Sequence, residues 1–269
     1  HATSAQPRVV HMLREACILD ALHHPGIIRV YESGLLSDRR PWFACEHVEG
    51  PTLATMLLPK TIDRIDAIAL LRDLAGVLEH AHHRGVIHCG LRPIRILMTN
   101  QSRGYPLCIS DWSEARTHDA TPTPYVVSPA SWHYTAPELA RGDTVDDRAD
   151  VFAIGVIAYQ MLCGDVPFEG GSGGTQHVAT HVRCPDLPRE LSTLVDQMLA
   201  FDRWDRPSSN EVHTELTWIT DAMVTAMRPG SVRIRRPRWT PPLNFEGSEA
   251  TERVVMLRPS TDRDEDKQQ

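Results

Sequence analysis

Apolar residues at Val9, Met12, Leu13, Ala16, Leu19 and Leu22 recur every three to four positions, which predicts a helix over residues 8–22. His24-Pro25-Gly26 stops it, because proline cannot continue the ladder of backbone hydrogen bonds. Ile27 to Ser33 and Trp42 to Val48 read as strands, joined by a polar turn at Ser37 to Arg40. Glu49-Gly50-Pro51 is a connector. Residues 63–84 form a long amphipathic helix that points Ile65, Ile68, Leu71, Leu74, Ala75 and Leu78 inward. Residues 86–112 mix a loop with short strands, and residues 113–133, rich in Ser, Thr and Pro, read as a surface loop. Helices follow over 136–141, 148–163, 189–200 and 208–227. The longest apolar stretch, Val151 to Cys163, falls short of the ~18 residues of a membrane span and reads as a buried core helix.

The pattern changes beyond Met227. Arg228-Pro229-Gly230 ends the last helix, and a basic run without periodicity follows from Ser231 to Arg238. Thr240-Pro241-Pro242 is extended, and Asp262 to Asp266 is mostly acidic. Residues 228–269 therefore read as a tail, structureless until bound. The basic run reads as a solvated linker or as a contact to anionic lipid if a membrane segment lies nearby.

Composition narrows the function classes. The net charge of -7 argues against general nucleic-acid binding. The basic residues are almost all Arg, the lysines being Lys60 and Lys267, which points to a GC-rich coding genome. Cys17, Cys45, Cys89, Cys108, Cys163 and Cys184 are scattered without C-x-x-C spacing, as expected of a reduced compartment. The histidine pairs His23-His24 and His82-His83 lack a set of partner ligands, so no metal site is expected.

The candidate chemistry lies in Val86-Ile87-His88-Cys89-Gly90-Leu91-Arg92-Pro93-Ile94-Arg95-Ile96-Leu97. This stretch resembles the catalytic loop of a protein kinase, H-R-D-L-K-P-x-N-I-L. Other segments agree in order. Arg14-Glu15-Ala16 matches the helix-C glutamate, His24-Pro25-Gly26-Ile27-Ile28 the H-P-N-I-V, and Cys45 to Gly50 the hinge with Cys45 at the gatekeeper position. Asp111-Trp112-Ser113 matches D-F-G, Ala136-Pro137-Glu138 the A-P-E, Asp150 the start of the large-lobe helix, and Asp205-Arg206-Pro207 the late arginine that pairs with the A-P-E glutamate. From residue 8 to about 226 the chain resembles a bacterial Ser/Thr protein kinase of the actinobacterial type. The resemblance implies an α+β, two-lobe fold with a mainly helical large lobe and a truncated or incomplete small lobe. The expected domain is 1–227, with a small lobe of about 1–47, a hinge of about 46–52 and a large lobe of about 53–227. The Gly-rich loop and the strand lysine find no match, so the first strands either precede this sequence or are degenerate.

Two positions depart from the family. Gly90 stands where the resemblance places the aspartate that accepts the substrate proton, and Arg95 where it places a metal-binding asparagine. Arg92 replaces the loop lysine with charge retained. Glycine cannot act as a base, and Arg95 brings a fixed positive charge beside the retained Asp111, with which it can pair. These exchanges lead to the expectation of a pseudokinase, not an enzyme, with no cofactor. Glu15, His88, Glu138, Asp150 and Arg206 are expected to be scaffold, Glu15 having no strand lysine to meet.

The function then expected is regulatory. Thr117, Thr121, Thr123 and Ser128 lie on the activation segment, and Thr240, Thr251 and Thr261 on the tail. A phosphothreonine suits the arginine-lined site of an FHA domain, which reads it with the residue three positions later. Thr251 has Val254 there and Glu246 and Glu249 upstream, and so stands ahead of Thr240 and Thr261. The expected partners are an active Ser/Thr kinase and an FHA-domain protein. The resemblance extends to the cytoplasmic domain of a mycobacterial relative of the peptidoglycan lipid-precursor flippases, an inner-membrane protein whose spans lie outside this sequence. The open alternatives are a nucleotide sensor without turnover and a weak phosphotransferase or nucleotidyltransferase.

Overall fold

A computed structural model describes residues 5–58, 62–99, 103–118, 129, 131–168, 177–226 and 255–256. Helix α1 (Ala5–Ala21) leads into an antiparallel pair, β1 (Val30–Leu35) and β2 (Pro41–Cys45), whose register runs from Val30↔Cys45 to Leu35↔Pro41. The turn between them places Arg39 at φ 64, a left-handed conformation that is uncommon for a side-chain-bearing residue. Ala16 of α1 packs on Phe43 and Cys45, with Met12, Ile28 and Val30 around them. This small apolar cluster is distinct from the main core and meets it through Ile28 and Val30, which pack against both.

The large lobe is helical, from α2 (Leu53–Leu57) and α3 (Arg64–His82) to α4 (Pro137–Arg141), α5 (Arg148–Cys163), α6 (Thr180–Arg183), α7 (Arg189–Met198) and α8 (Ser209–Ala226). Asp63 caps α3 by accepting from the Ile65 N–H at 3.0 Å. Pro137 starts α4, and Gly142 ends it at φ 75 in the left-handed cap that glycine adopts without strain. Every residue of α5 from Ala149 to Tyr159 is buried, so this helix is the axis of the lobe. Its Gly155 allows a close approach: a Cβ there would meet Met198 Cβ of α7 at 2.9 Å.

Short strands lie between the lobes: β3 (Val86–Ile87) pairs with β6 (Arg116–Thr117), and β4 (Ile96–Met98) with β5 (Leu107–Ile109). The kinase fold expected from the sequence is the fold observed. The sequence expectation differs at particular elements. The first strand starts at Val30, because Ile27 instead bridges to Ile109. Within 113–133, read as loop, lie β6 and a 3-10 turn at Trp132–Tyr134. The tail, expected to be structureless, contributes β7 (Val255–Met256), which pairs antiparallel with β2 and makes the sheet order β1-β2-β7. Among the described residues no helix is long and apolar enough to cross a membrane.

Candidate active-site cleft

The loop after β3 hangs on one buried carboxylate. Asp150, at the start of α5, accepts from the His88 N–H at 2.7 Å and the Cys89 N–H at 2.8 Å. His82 Nε2 lies 2.8 Å from its Oδ2, and His82 Nδ1 lies 2.8 Å from Ser209 Oγ. Burial works to raise the Asp150 carboxyl, but the His82 hydrogen bond, the nearby imidazoles and the His88 amide hold it below the usual range. These bonds keep Cys89 at φ 60, a conformation that costs about 1–3 kcal/mol and persists only where the surroundings impose it. His88 is fully buried, packs against Trp112 with ring centroids 4.6 Å apart and the planes tilted by 46°, and accepts from the Gly90 N–H through Nδ1. Burial lowers its pKa and keeps the ring neutral. His82, which sequence reading left without a partner, thus ties α3 to α5 and α8.

Arg95 is the centre of the cleft. It ends a 3-10 turn (Pro93–Arg95) opened by Arg92, and its side chain is only 6% exposed. Its Nε lies 2.9 Å from Asp111 Oδ2, close enough for an ion pair although not aligned as a hydrogen bond. Nη2 donates to Glu114 Oε1 at 2.6 Å, and Nη1 donates to the Gly90 carbonyl at 2.9 Å. Sequence reading singled out Arg95 and Asp111 but missed Glu114, whose signal was an extra carboxylate three residues after Asp111. Burial works to raise the Asp111 carboxyl. The Arg95 guanidinium and the hydrogen bonds from Ser113 N and Oγ outweigh it and hold the carboxyl below the usual range.

The absent side chain at Gly90 is part of this arrangement. A Cβ on Gly90 would fall inside contact distance of Arg95 Nη1 and 2.7 Å from Glu114 Oε2. Gly90→Ala is expected to cost about 1–3 kcal/mol as an overpacked site. In the background of Arg95→Asn the cost is expected to fall, because the Nη1 collision is gone and Glu114, no longer held by the guanidinium, is free to withdraw. A double-mutant cycle by urea denaturation checks this, and equal costs in both backgrounds would refute the steric link.

Glu15 of α1 closes the small-lobe side of the cleft, accepting from the Trp112 N–H at 3.2 Å. Its pKa is raised to about 7, first by burial and then by the Asp111 charge, against the Trp112 hydrogen bond and Arg95. Arg14 Nη2 donates to the Ala115 carbonyl at 2.7 Å, so α1 grips both sides of the Asp111 segment. Trp112 itself is fully buried in the core.

Two further pairs position the cleft. Arg206 and Glu138 form a buried bidentate bridge at 2.7 and 3.0 Å that holds α4 against the start of α8. At the hinge, Arg103 holds Glu46 at 2.5 and 2.7 Å and donates to the Pro25 and Ile27 carbonyls at 2.6 and 2.9 Å. No sequence signal had marked Arg103. Thr117 is exposed at the end of β6. Thr121, Thr123, Ser128, Thr240, Thr251, Val254 and Thr261 lie outside the described residues. Among the described residues no group of three or more His, Cys, Asp and Glu is placed to hold a metal ion.

The protein kinase domain family model matches residues 2–219. The chain is 29% identical over 235 residues to the serine/threonine-protein kinase pkn2 of Myxococcus xanthus, covering 81% of this chain and 28% of that protein. It is 31% identical over 198 residues to PknJ of Mycobacterium tuberculosis, covering 70% of this chain and 33% of the relative. In structure it is similar to a double mutant of the Mycobacterium tuberculosis PknI kinase domain, with TM-score 0.62 and 25% identity over 81% of this chain and 80% of that one. The chain spans about a third of the length of the curated relatives it matches.

These findings correct the expectation that the chain is not an enzyme. Relatives at about 30% identity over most of the chain are named as Ser/Thr protein kinases. Exchanging the side chains at positions 90 and 95 does not by itself amount to loss of phosphoryl transfer. The family implies magnesium beside the nucleotide phosphates. Asp111, 40% exposed, is a fitting ligand, but the second ligand position holds the buried Arg95 guanidinium with its three acceptors. A two-ion arrangement does not fit these residues.

Proposed function

Because the chain belongs to the protein kinase family, we propose that it serves as a regulatory signalling domain in a phosphothreonine relay. An active Ser/Thr kinase phosphorylates the tail at Thr251, and an FHA-domain protein docks there with Val254 at the third following position. Thr240 and Thr261 are secondary sites. The observation that supports this reading is the Arg95 cluster. A cleft whose metal-facing carboxylate is engaged by a buried guanidinium is a resting cleft, and any transfer from it first requires the Arg95–Asp111 pair to open. The candidate phosphorylation sites on the tail stand apart in sequence from the cleft and remain usable in that resting state.

In the wider protein, by resemblance to the mycobacterial flippase-like protein MviN, the domain lies on the cytoplasmic side of the inner membrane and restrains export of cell-wall precursors when the FHA protein is bound. Retention of Asp111, half-exposed at the cleft, favours a second reading in which bound nucleotide modulates this relay, with weak transfer.

The test is to phosphorylate the chain with an active bacterial Ser/Thr kinase, map the sites and titrate an FHA domain. Thr251→Ala is expected to weaken binding at least ~10-fold, the loss of a charge-assisted anchor. Thr240→Ala and Thr261→Ala are expected to leave it within about twofold. Binding that survives Thr251→Ala defeats the site assignment.

A further inference from the structure

Gly90 leaves the catalytic loop without a side chain, but a carboxylate from elsewhere in the chain stands beside it. A Cβ on Gly90 would lie 2.7 Å from Glu114 Oε2 and 2.8 Å from Glu114 Cδ. An aspartate holds its own carboxylate oxygens about 2.4 Å from its Cβ, from ordinary bond lengths. Glu114 therefore brings an acid group within the reach that an aspartate at position 90 would have, and protein kinases keep their proton acceptor at that position.

Three features hold the acid there. β6 pairs with β3 in the register Val86↔Thr117 and Ile87↔Arg116, which runs Glu114 back alongside the residues that follow Ile87. Arg14 of α1 donates to the carbonyl of the neighbouring Ala115 at 2.7 Å. Arg95 donates to Glu114 Oε1 through Nη2 and to the Gly90 carbonyl through Nη1, so one guanidinium ties the acid to the catalytic loop. The Glu114 side chain is 26% exposed against 6% for Arg95, and so meets solvent in the cleft where the guanidinium is covered. A carboxylate offers about four acceptor sites, so the bond from Arg95 and one from a substrate hydroxyl are compatible. Asp111 is engaged through a different nitrogen, Nε, so its release does not by itself release Glu114.

We propose that Glu114 is the acceptor for the hydroxyl of a serine or threonine substrate, in place of the aspartate absent at position 90, and that Arg95 is its positioning residue. The hydroxyl oxygen attacks the γ-phosphorus of ATP and forms the new O–P bond. The bond from that phosphorus to the bridging oxygen breaks, and ADP leaves with the electron pair. The hydroxyl proton passes to Glu114 and then to solvent. The exchanges at positions 90 and 95 are then two halves of one rearrangement: the glycine clears the space, and the arginine holds the acid in it. This rests on the second reading given above, in which the cleft retains weak transfer.

The experiment uses the full-length protein with magnesium-ATP and myelin basic protein as phosphate acceptor. Glu114→Gln is expected to lower kcat about 100-fold, the lower end of what a positioned proton acceptor contributes, and to leave KM for ATP within about twofold. Gly90→Asp combined with Glu114→Ala supplies the carboxylate from the other side, and is expected to recover at least ~10-fold of the kcat lost in Glu114→Ala alone. In the Arg95→Asn background, where the acid is less well positioned, Glu114→Gln is still expected to cost at least ~10-fold. A cost that vanishes without Arg95 would make Glu114 an anchor for the guanidinium and overturn the assignment. Wild-type kcat in Glu114→Gln, a change in KM alone, or a double variant no faster than Glu114→Ala overturns it too. If the wild type binds ATP and transfers nothing, the weak-transfer reading itself fails and takes the assignment with it.

Discussion

Arg206→Met is expected to destabilise the protein more than any other single change considered, by about 3–5 kcal/mol, the cost of stranding a buried partner charge. Each of the five guanidinium N–H groups donates. Two go to Glu138, and the others to the carbonyls of Ala200, Arg148 and Phe201, at 2.7–3.0 Å throughout. The guanidinium is also stacked 4.9 Å from the Phe152 ring on α5. Methionine matches the length but leaves the Glu138 carboxylate buried without its counter-charge. At ~2–4 °C per kcal/mol for a domain of this size, the melting temperature should fall by about 10 °C. Glu138→Met combined with Arg206→Met should recover part of the loss, since an apolar pair strands no charge, although the three carbonyls stay without their donor. Thermal and urea melts check both variants. A single mutant that melts within about 2 °C of the wild type would show that the bridge carries no stability.

Arg95→Asn is expected to change the cleft most. It removes the cation from between Asp111 and Glu114, with Glu15 next to them. In the wild type the depressed Asp111 pKa contributes stability at neutral pH, and that contribution is lost as the pH falls through the folded-state pKa. Without Arg95 the depression is removed and the close carboxylates repel one another. The variant should therefore melt lower than the wild type at pH 7, and the gap should close only as the pH falls through and below the ordinary carboxylate range, where the carboxyls take up protons. The same change opens Asp111 to a divalent cation. Magnesium with ATP should raise the melting temperature of Arg95→Asn by several degrees more than that of the wild type. A variant with the wild-type pH profile and the wild-type response to magnesium and ATP would remove Arg95 from its role in closing the cleft.

The parts of the site legible in the sequence are those made by residues close together in the chain, or by motifs whose order repeats a family pattern. Arg95 and Asp111 could be paired on paper, because each occupies a fixed place in such a motif. Glu138 and Arg206, 68 positions apart, were readable for the same reason. Glu114 was not: an acid on a loop faces any direction until the chain around Trp112 is placed. Arg103 is 57 positions from Glu46 of the hinge and carries no motif, so only folding of the hinge against β5 reveals the pair. His82 reads as a histidine without partners because Asp150 and Ser209 come from helices 68 and 127 positions away.

The sequence by itself determined the family, the helical large lobe and the two altered positions in the catalytic loop. Apolar periodicity and motif order are properties of the chain read in one dimension. The tertiary structure alone decided what those alterations mean for one another. Gly90 and Arg95 are linked because the space a Cβ would take is the space the guanidinium fills. Tertiary structure also decided what Val255 and Met256 pair with. A two-residue strand carries no readable periodicity, and its partner is a backbone edge that exists only once β1 and β2 have paired.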